Sequence, residues 1–437
     1  MMNLSSADTP SLVTRFRVFT HRFVVLTPEW YDVVLYGLAA VFALGASLFS
    51  HIPLYRQWGD LALGPYVAAA LVAVGLARRA RTREVMKGRV ILAALVVLGA
   101  TVVPMVCEIS WRFSVTPQSL HVQPEVVVIE RAADALAHGH DPYQAQVVNG
   151  HLEGAAQGLP AYESFFPYLP AMTIFGLPSA TKVPRVLSDA RLYFFLATLV
   201  CLALALRYGP GAPERKLKVM QVAIALPWAA LTIATGGDDI PIVALLLVAM
   251  VLAQRRRPGW SGLVFGLACA MKFTAWPVAL LALFAARNKE NERKPLVMLM
   301  AIGAVGVPLV MGALWWNAGT FIANVIEFPL GLAGIASPAG SGLPGHLFVT
   351  AFPALRKVFV VVSALAGVTV LVTYLRNRPP QDASAVCRVA GWSLTGAILL
   401  APSTRIGYLI YPLNLFVWSW LLTEEASDQH TLGQQQH

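Results

Sequence analysis

The sequence predicts an all-α polytopic membrane protein with about 10–13 transmembrane segments and a long first extracytoplasmic loop. Three observations carry this. Of 437 residues, 57% are hydrophobic and only 13% charged, with a mean hydropathy of +0.62, where a soluble domain carries roughly 25% charged residues. Several continuous apolar runs reach the roughly 20 residues that cross a bilayer as a helix, and runs that do not alternate exclude a membrane β-barrel. The basic residues behind the formal net charge of +10 gather in short loops between these runs. That is the positive-inside pattern rather than a nucleic-acid surface.

The first segment carries Arg15, Arg17 and Arg22 ahead of an apolar run that begins near Tyr31. It reads as the cytoplasmic flank of a retained helix, not a cleavable signal. The first helix runs roughly from Tyr31 to Ser50. A short loop with Arg56 and Asp60 follows, then a second helix from about Leu61 to Leu76. The loop ARRARTREVMKGR holds Arg78, Arg79, Arg81, Arg83, Lys87 and Arg89 and sets the orientation, because so basic a loop stays in the cytoplasm. The third helix, about Val90 to Ile109, then leads outward, closing an N-terminal unit of residues 1–109.

Residues 110–188 form the first extracytoplasmic loop, and loops of this length are usually functional. Within it, PEVVVIERAADALAHGHDPY is helical in pattern, with Pro124 suited to a first helical position. YESFFPYLPAMTIFGLP is apolar but short and interrupted by Pro167, Pro170 and Pro178. It reads as interfacial or re-entrant, since a crossing here would put the later basic loops outside. Irregular backbone at that depth needs protein or water around it.

Residues 189–422 form the main bundle. Helices from about Ala190 to Leu206, Val219 to Ala234 and Ile240 to Ala253 alternate between the basic segments RYGPGAPERKLK and QRRRPG and the acidic turn TGGDDIP. The run from Trp260 to Ala286 has basic flanks on both sides and Lys272 at its middle. Two half-helices meeting at Lys272 satisfy the charge rule. A helix from about Leu296 to Trp315 leads to a second outside loop, Asn317 to Leu355, rich in Gly and Pro. Three last helices cover about Lys357 to Leu375, Val386 to Ala401 and Ile406 to Leu422, and residues 423–437 are a polar cytoplasmic tail. Both termini are thus cytoplasmic. Cys107, Cys201, Cys269 and Cys387 all fall within helices without metal-ligand spacing, so they read as packing residues.

The acidic residues collect on the outside: Glu125, Glu130, Asp134, Asp141, Asp238 and Asp239. On a helical wheel Glu130, Arg131, Asp134 and His138 share one side, and Glu130 and Asp134 read as a solvated face with Arg131 adjacent. Glu125 falls on the other side, level with Ile129, Ala132 and Leu136. It is either a first-turn acid placed by the helix dipole or a carboxylate turned toward the protein. Asp141 in GHDPY reads as a turn residue. His121, His138, His140 and His151 fit no zinc spacing and read as solvated loop residues. Asp238 and Asp239 are either a polar helix end or a binding pair for a sugar hydroxyl, a cation or an arginine. Lys272, amid GLACAMKFTAWP, is costly in a membrane and therefore a functional candidate, with snorkelling as the alternative. Arg405 in APSTRIGYLIYP lies on the outside against the charge trend, at an ordinary loop position or beside an anion. Tyr168, Glu327 and His346 are weaker candidates.

Several of these segments together resemble polyprenyl-phosphate-sugar-dependent glycosyltransferases of the GT-C superfamily, and most closely glycosyltransferase family 87, the actinobacterial membrane mannosyltransferases. The resemblance runs from about Val122 to Leu422 and rests on ERAADALAHGHDPY, FPYLP, GLVFGLACAMKFTAWP and APSTRIGYLIYP in that order. It implies a GT-C-like bundle, a sugar donor on a lipid phosphate at the outer leaflet, and a carboxylate of the first outside loop as general base. Glu125 stands where the family usually has Asp. By the same resemblance Asp238 and Asp239 form a second acidic motif, while Lys272 and Arg405 steady the departing polyprenyl phosphate.

The expectation is therefore a multi-pass membrane hexosyltransferase that moves mannose or another hexose from a polyprenyl-phosphate donor to a lipid, glycan or protein acceptor on the extracytoplasmic side, with inversion. Its partners are the lipid-linked donor, the acceptor and membrane lipids, with no nucleic acid. No cofactor is expected, and the two adjacent aspartates are compatible with a divalent cation but do not demand one. A transporter or lipid flippase is the alternative, but it predicts an internal repeat that the sequence lacks. An enzyme has to bring Glu125, Asp238, Lys272 and Arg405 to one outward-facing site.

Overall fold

The computed structural model describes residues 27–79, 82–115, 121–144, 147–148, 151–152, 161–286, 293–335 and 339–423. The N-terminal arginines, Arg81, most of the RNKENERK flank and the C-terminal tail lie outside the described residues, as does the side chain of His151.

The chain is an all-α, multi-pass membrane protein. Helices α1 (Pro28–Phe49), α2 (Pro53–Ala77) and α3 (Arg83–Ser114, with a π-bulge at Leu98–Val102) form the N-terminal unit. An amphipathic helix α4 (Pro124–Ala137) follows, then a two-residue hairpin pairing Val147–Val148 with His151–Leu152. The main bundle contains α5 (Ala190–Tyr208), α6 (Pro213–Ala225), α7 (Pro227–Thr235), α8 (Asp239–Gln254), α9 (Pro258–Cys269) and α10 (Phe273–Ala286). It ends with α11 (Lys294–Glu327), α12 (Pro344–Ala351), α13 (Arg356–Asn377), α14 (Ala383–Leu400) and α15 (Ile410–Leu421).

Local sequence explains many of these boundaries. α1, α2, α4, α6, α7, α9 and α12 each open on a proline, whose fixed φ and missing N–H suit the first helical turn. Thr82, Asp189 and Asp382 cap α3, α5 and α14 by accepting a backbone N–H through the side chain. Gly262 and Gly266 of α9 let its backbone lie against α11, since a Cβ there would come within 2.4 Å of the Met298 carbonyl and 2.7 Å of the Ile302 carbonyl. Small residues at this spacing are a common way for membrane helices to approach closely.

Among the described residues, seven helices are long and apolar enough to cross a membrane, or eight if the bent pair α6–α7 counts as one. Four more apolar helices are 10–17 residues long, which accounts for the larger number expected from apolar runs alone. Three boundaries differ from expectation. Arg56 and Asp60 lie inside α2 rather than in a loop: Arg56 donates to the Ser50 carbonyl and Asp60 accepts from the Ser47 hydroxyl. The second crossing of the bundle is two helices, broken at Leu226. The second long loop is shorter than expected, because the chain bends at Asn317 and continues helically to Glu327.

The proline-rich stretch after α4 does not cross. Its backbone forms short 3-10 turns, Pro170–Phe175 and Leu177–Ala180, with Phe166, Leu169 and Met172 almost fully buried in the bundle. Protein surrounds the irregular backbone there, as an apolar environment requires.

Candidate functional site

The site is built around a break in the helix ladder. After α9 ends at Cys269 the chain unwinds, and Lys272 is fully extended (φ −154°, ψ 142°) before α10. Unwinding frees carbonyls, and buried carbonyls need donors. The FPYLP segment supplies them: Leu169 N–H donates to Met271 (3.0 Å) and Ala171 N–H to Ala270 (2.9 Å). This pairing sets Tyr168 beside Lys272, with its ring centroid 5.2 Å from Nζ.

Lys272 does not snorkel. Its ammonium lies 3.1 and 3.2 Å from the two Asp238 oxygens and 2.6 Å from Asp239 Oδ1. Tyr411 donates to that same Asp239 oxygen at 2.7 Å, and the Tyr408 ring lies 5.5 Å from Nζ. The aspartate pair thus holds a cation, and the cation is the chain's own lysine. Two carboxylates against one ammonium leave one excess negative charge. A phosphate has little to gain from Lys272 while both carboxylates are ionised.

Glu125 reaches this cluster through the glycine turn. Gly236 caps α7 at φ +107°, a conformation that favours glycine, and a Cβ on it would come within 2.3 Å of Val126 Cγ2. The start of α4 therefore lies directly on the GGDD turn. Gln123 fixes it there, with its backbone N–H on the Thr235 carbonyl (3.0 Å) and its side chain on Thr235 Oγ1 (2.7 Å) and the Tyr55 hydroxyl (3.1 Å). The Glu125 carboxylate is close enough for its charge to be felt at Asp238, Tyr168 and Tyr408. Its Oε1 is paired with Arg405 Nη1, while Oε2 is buried without a partner among the described residues. Glu125 is a first-turn acid of α4 and its carboxylate is also turned into the protein.

Arg405 is delivered by the second loop. Thr404 N–H donates to Ala339, Ser341 N–H to Thr404, and Ile406 N–H to Ser341 Oγ. His346 Nδ1 lies 3.0 Å from the Pro402 carbonyl, so His346 braces this turn. Glu327 is exposed at the end of α11 and makes no side-chain ion pair among the described residues.

Two sequence-level assignments change. Glu130 is not on a solvated face. Arg112 grips it at 2.7 and 3.0 Å, it accepts from Ala190 N–H, and Arg112 also binds Asp189, which in turn pairs with Arg191. Burial pushes the Asp189 carboxyl up, but Arg191 and Arg112 outweigh it and hold it down at about 2. This network pins α4 to α3 and α5. His121 is not solvated either: it is buried, with Nδ1 3.1 Å from Glu108. Asp141 is a turn residue as expected, accepting from Tyr143 N–H and the Thr320 hydroxyl.

Glu163 has no counterpart among the expected candidates. It lies in the 3-10 turn Ala161–Ser164 and is only 4% exposed, with Oε2 buried and without a partner among the described residues. Burial pushes its carboxyl up; Arg131 pulls it back and the charge of Glu125 pushes it further up. The only signal in the sequence is an acid set among aromatics in a segment that has to be buried, YESFFPY.

Residues 166–421, more than half of the chain, match glycosyltransferase family 87. The chain belongs to glycosyltransferase family 87. No curated protein matches it. A family 87 protein is a glycosyltransferase, with a sugar donor and an acceptor, and that class displaces the transporter alternative. The matched span holds Tyr168, Asp238, Asp239, Lys272 and Arg405, while α4 with Glu125, and Glu163 beyond it, lie just before the span. The two pieces meet at the Glu125–Arg405 pair.

Proposed function

We propose that this family 87 glycosyltransferase moves a hexose, mannose in the first instance, from a polyprenyl-phosphate donor to a hydroxyl of a lipid, glycan or protein, on the extracytoplasmic side and with inversion. The observation that carries this is the state of Glu125. Arg405 fixes one carboxylate oxygen, and the other has no partner among the described residues.

In this reading the free oxygen takes the proton from the acceptor hydroxyl as that oxygen attacks the anomeric carbon. The bond from that carbon to the phosphate oxygen breaks, and the polyprenyl phosphate leaves with the electron pair. Attack in line with departure inverts the centre. Arg405, 27% exposed at its side chain, is the available cation for the leaving phosphate. Lys272 acts by holding Asp238 and Asp239, whose carboxylates are suited to sugar hydroxyls. Support for this sidedness comes from α8, which starts at Asp239 and ends beside Arg255, Arg256 and Arg257. The charge rule puts the arginine end in the cytoplasm and the acidic end outside.

The test is sugar transfer in membranes from radiolabelled polyprenyl-phosphate-mannose, with wild type and Glu125→Gln at matched amounts. Wild type is expected to form product, and the variant to lose roughly 10²–10⁴-fold in rate. Product at the wild-type rate in the variant moves the base elsewhere. No product from wild type overturns the donor.

A further inference from the structure

Glu163 is a buried acid that the proposed chemistry does not use. Its position is fixed from both sides. Arg131 of α4 donates through its guanidinium to the Glu163 carbonyl, so the 3-10 turn is tied to the helix that carries Glu125. On the other side, Phe165 stacks on Phe328 with ring centroids 4.5 Å apart, and Phe166 N–H donates to Asn324 Oδ1 at 2.7 Å.

Only the carboxylate is left open. Glu163 Oε2 and Glu125 Oε2 are both buried, and neither has a donor among the described residues. The two carboxylates are close enough to act on each other, and the hydroxyl of Tyr162 feels both of them and Arg405. A buried acceptor atom left without a donor costs about 1–3 kcal/mol. Two such atoms, one on Glu125 and one on Glu163, are suited to hydrogen-bond donors that a ligand supplies.

We propose that Glu163 is a positioning residue for the acceptor. It accepts a hydrogen bond from one hydroxyl of a polyhydroxylated acceptor, a sugar or polyol, while Glu125 takes the hydroxyl that reacts. This rests on the transfer reaction proposed above and narrows it, because an isolated serine or threonine hydroxyl cannot serve both carboxylates. No bond to Glu163 forms or breaks.

The experiment uses membranes holding the full chain, radiolabelled polyprenyl-phosphate-mannose as donor, and octyl α-mannoside as the acceptor probe. Wild type is compared with Glu163→Leu, which keeps the volume and removes both acceptor oxygens, and with Glu163→Gln, which keeps one. The expected result is a rise in KM for the glycoside of about 10- to 100-fold in the leucine variant, with a smaller rise for glutamine. In both, kcat stays near wild type and Tm does not fall below it. A structural role would instead lower Tm and the amount of enzyme without splitting KM from kcat. If the leucine variant does not fold, the glutamine variant's KM decides. A wild-type KM in these variants overturns the proposal and leaves the transfer reaction standing. Label passing from wild type to membrane protein but never to the glycoside also overturns it. Label that wild type never moves from the donor overturns both.

Discussion

Glu125 and Arg405 form a direct ion pair although 280 positions separate them in the chain. The first carboxylate after the N-terminal unit and the turn before the last helix thus close on each other over the Lys272 cluster. Each is positioned by a separate device: Gln123 and the Gly236 turn for Glu125, the Ala339–Ser341 segment and His346 for Arg405. The pair therefore reports whether both halves of the site have assembled.

Arg405→Lys keeps a positive charge but loses the planar fork that can hold Glu125 while facing a phosphate. Transfer is expected to fall by about 10²-fold, with kcat carrying most of the loss, as for other groups that act on charge developing in the transition state. Rates at saturating donor in matched membranes check this. A loss confined to the donor KM would show that Arg405 contributes only ground-state binding.

Lys272→Met removes the cation from two buried carboxylates. Breaking a buried pair from one side costs about 3–5 kcal/mol, so the variant should melt several degrees lower than wild type in detergent. Adding Asp238→Asn to Lys272→Met removes one of the stranded charges and should recover part of the loss. If the double variant melts no higher than Lys272→Met alone, the pairing energetics described for this cluster are wrong.

Much of this arrangement was legible in the sequence, and the omissions share a cause. Apolar runs located the helices, and the charge rule located the break at Lys272, because crossing a membrane constrains length and charge wherever a segment packs. Partners are a different matter. Glu130 looked solvated because periodicity assigns a face but not a neighbour, and its neighbour Arg112 lies 18 residues back on another helix. His121 looked like a loop residue for the same reason, its partner Glu108 being buried in α3. Arg56 and Asp60 looked like a loop because polar residues usually mark one, yet nearby Ser50 and Ser47 satisfy both within a continuous helix. Glu163 sits in a 3-10 turn with no period to read, so only the folded backbone reveals that it lies near Glu125.

The glycine turn offers a test of how tightly α4 has to sit. Gly236→Ala places a Cβ 2.3 Å from Val126 Cγ2 and puts a side chain on a residue at φ +107°. Either α4 shifts or the turn changes conformation, and both displace Glu125. Misplacement of a catalytic group by about 1 Å can cost 10²-fold. Gly236→Ala is therefore expected to lower transfer far more than it lowers Tm. Pairing it with Val126→Ala relieves the contact but not the backbone strain, so rescue should be partial. Full activity in Gly236→Ala alone would mean that the start of α4 need not hold this position.

Glu163 makes a pH-dependent prediction whose sign can be worked out. Burial raises its carboxyl above the ordinary 4.5, Arg131 opposes that rise, and the negative charge of Glu125 adds to it. Between 4.5 and its raised native value the folded chain holds a proton that the unfolded chain has released. Stability from this group is therefore fully present below about pH 4.5 and is lost as pH rises through the native value. Glu163→Gln removes the titration and keeps the shape. The variant should melt above wild type at neutral pH, and the gap should close as pH falls toward 4.5. Melting curves of both proteins in detergent from acidic to neutral pH measure this gap directly. A gap that is flat with pH, or wider in acid, would mean that the carboxylate is charged and stabilised in the fold. In that case Glu163 would have a cationic partner stronger than Arg131.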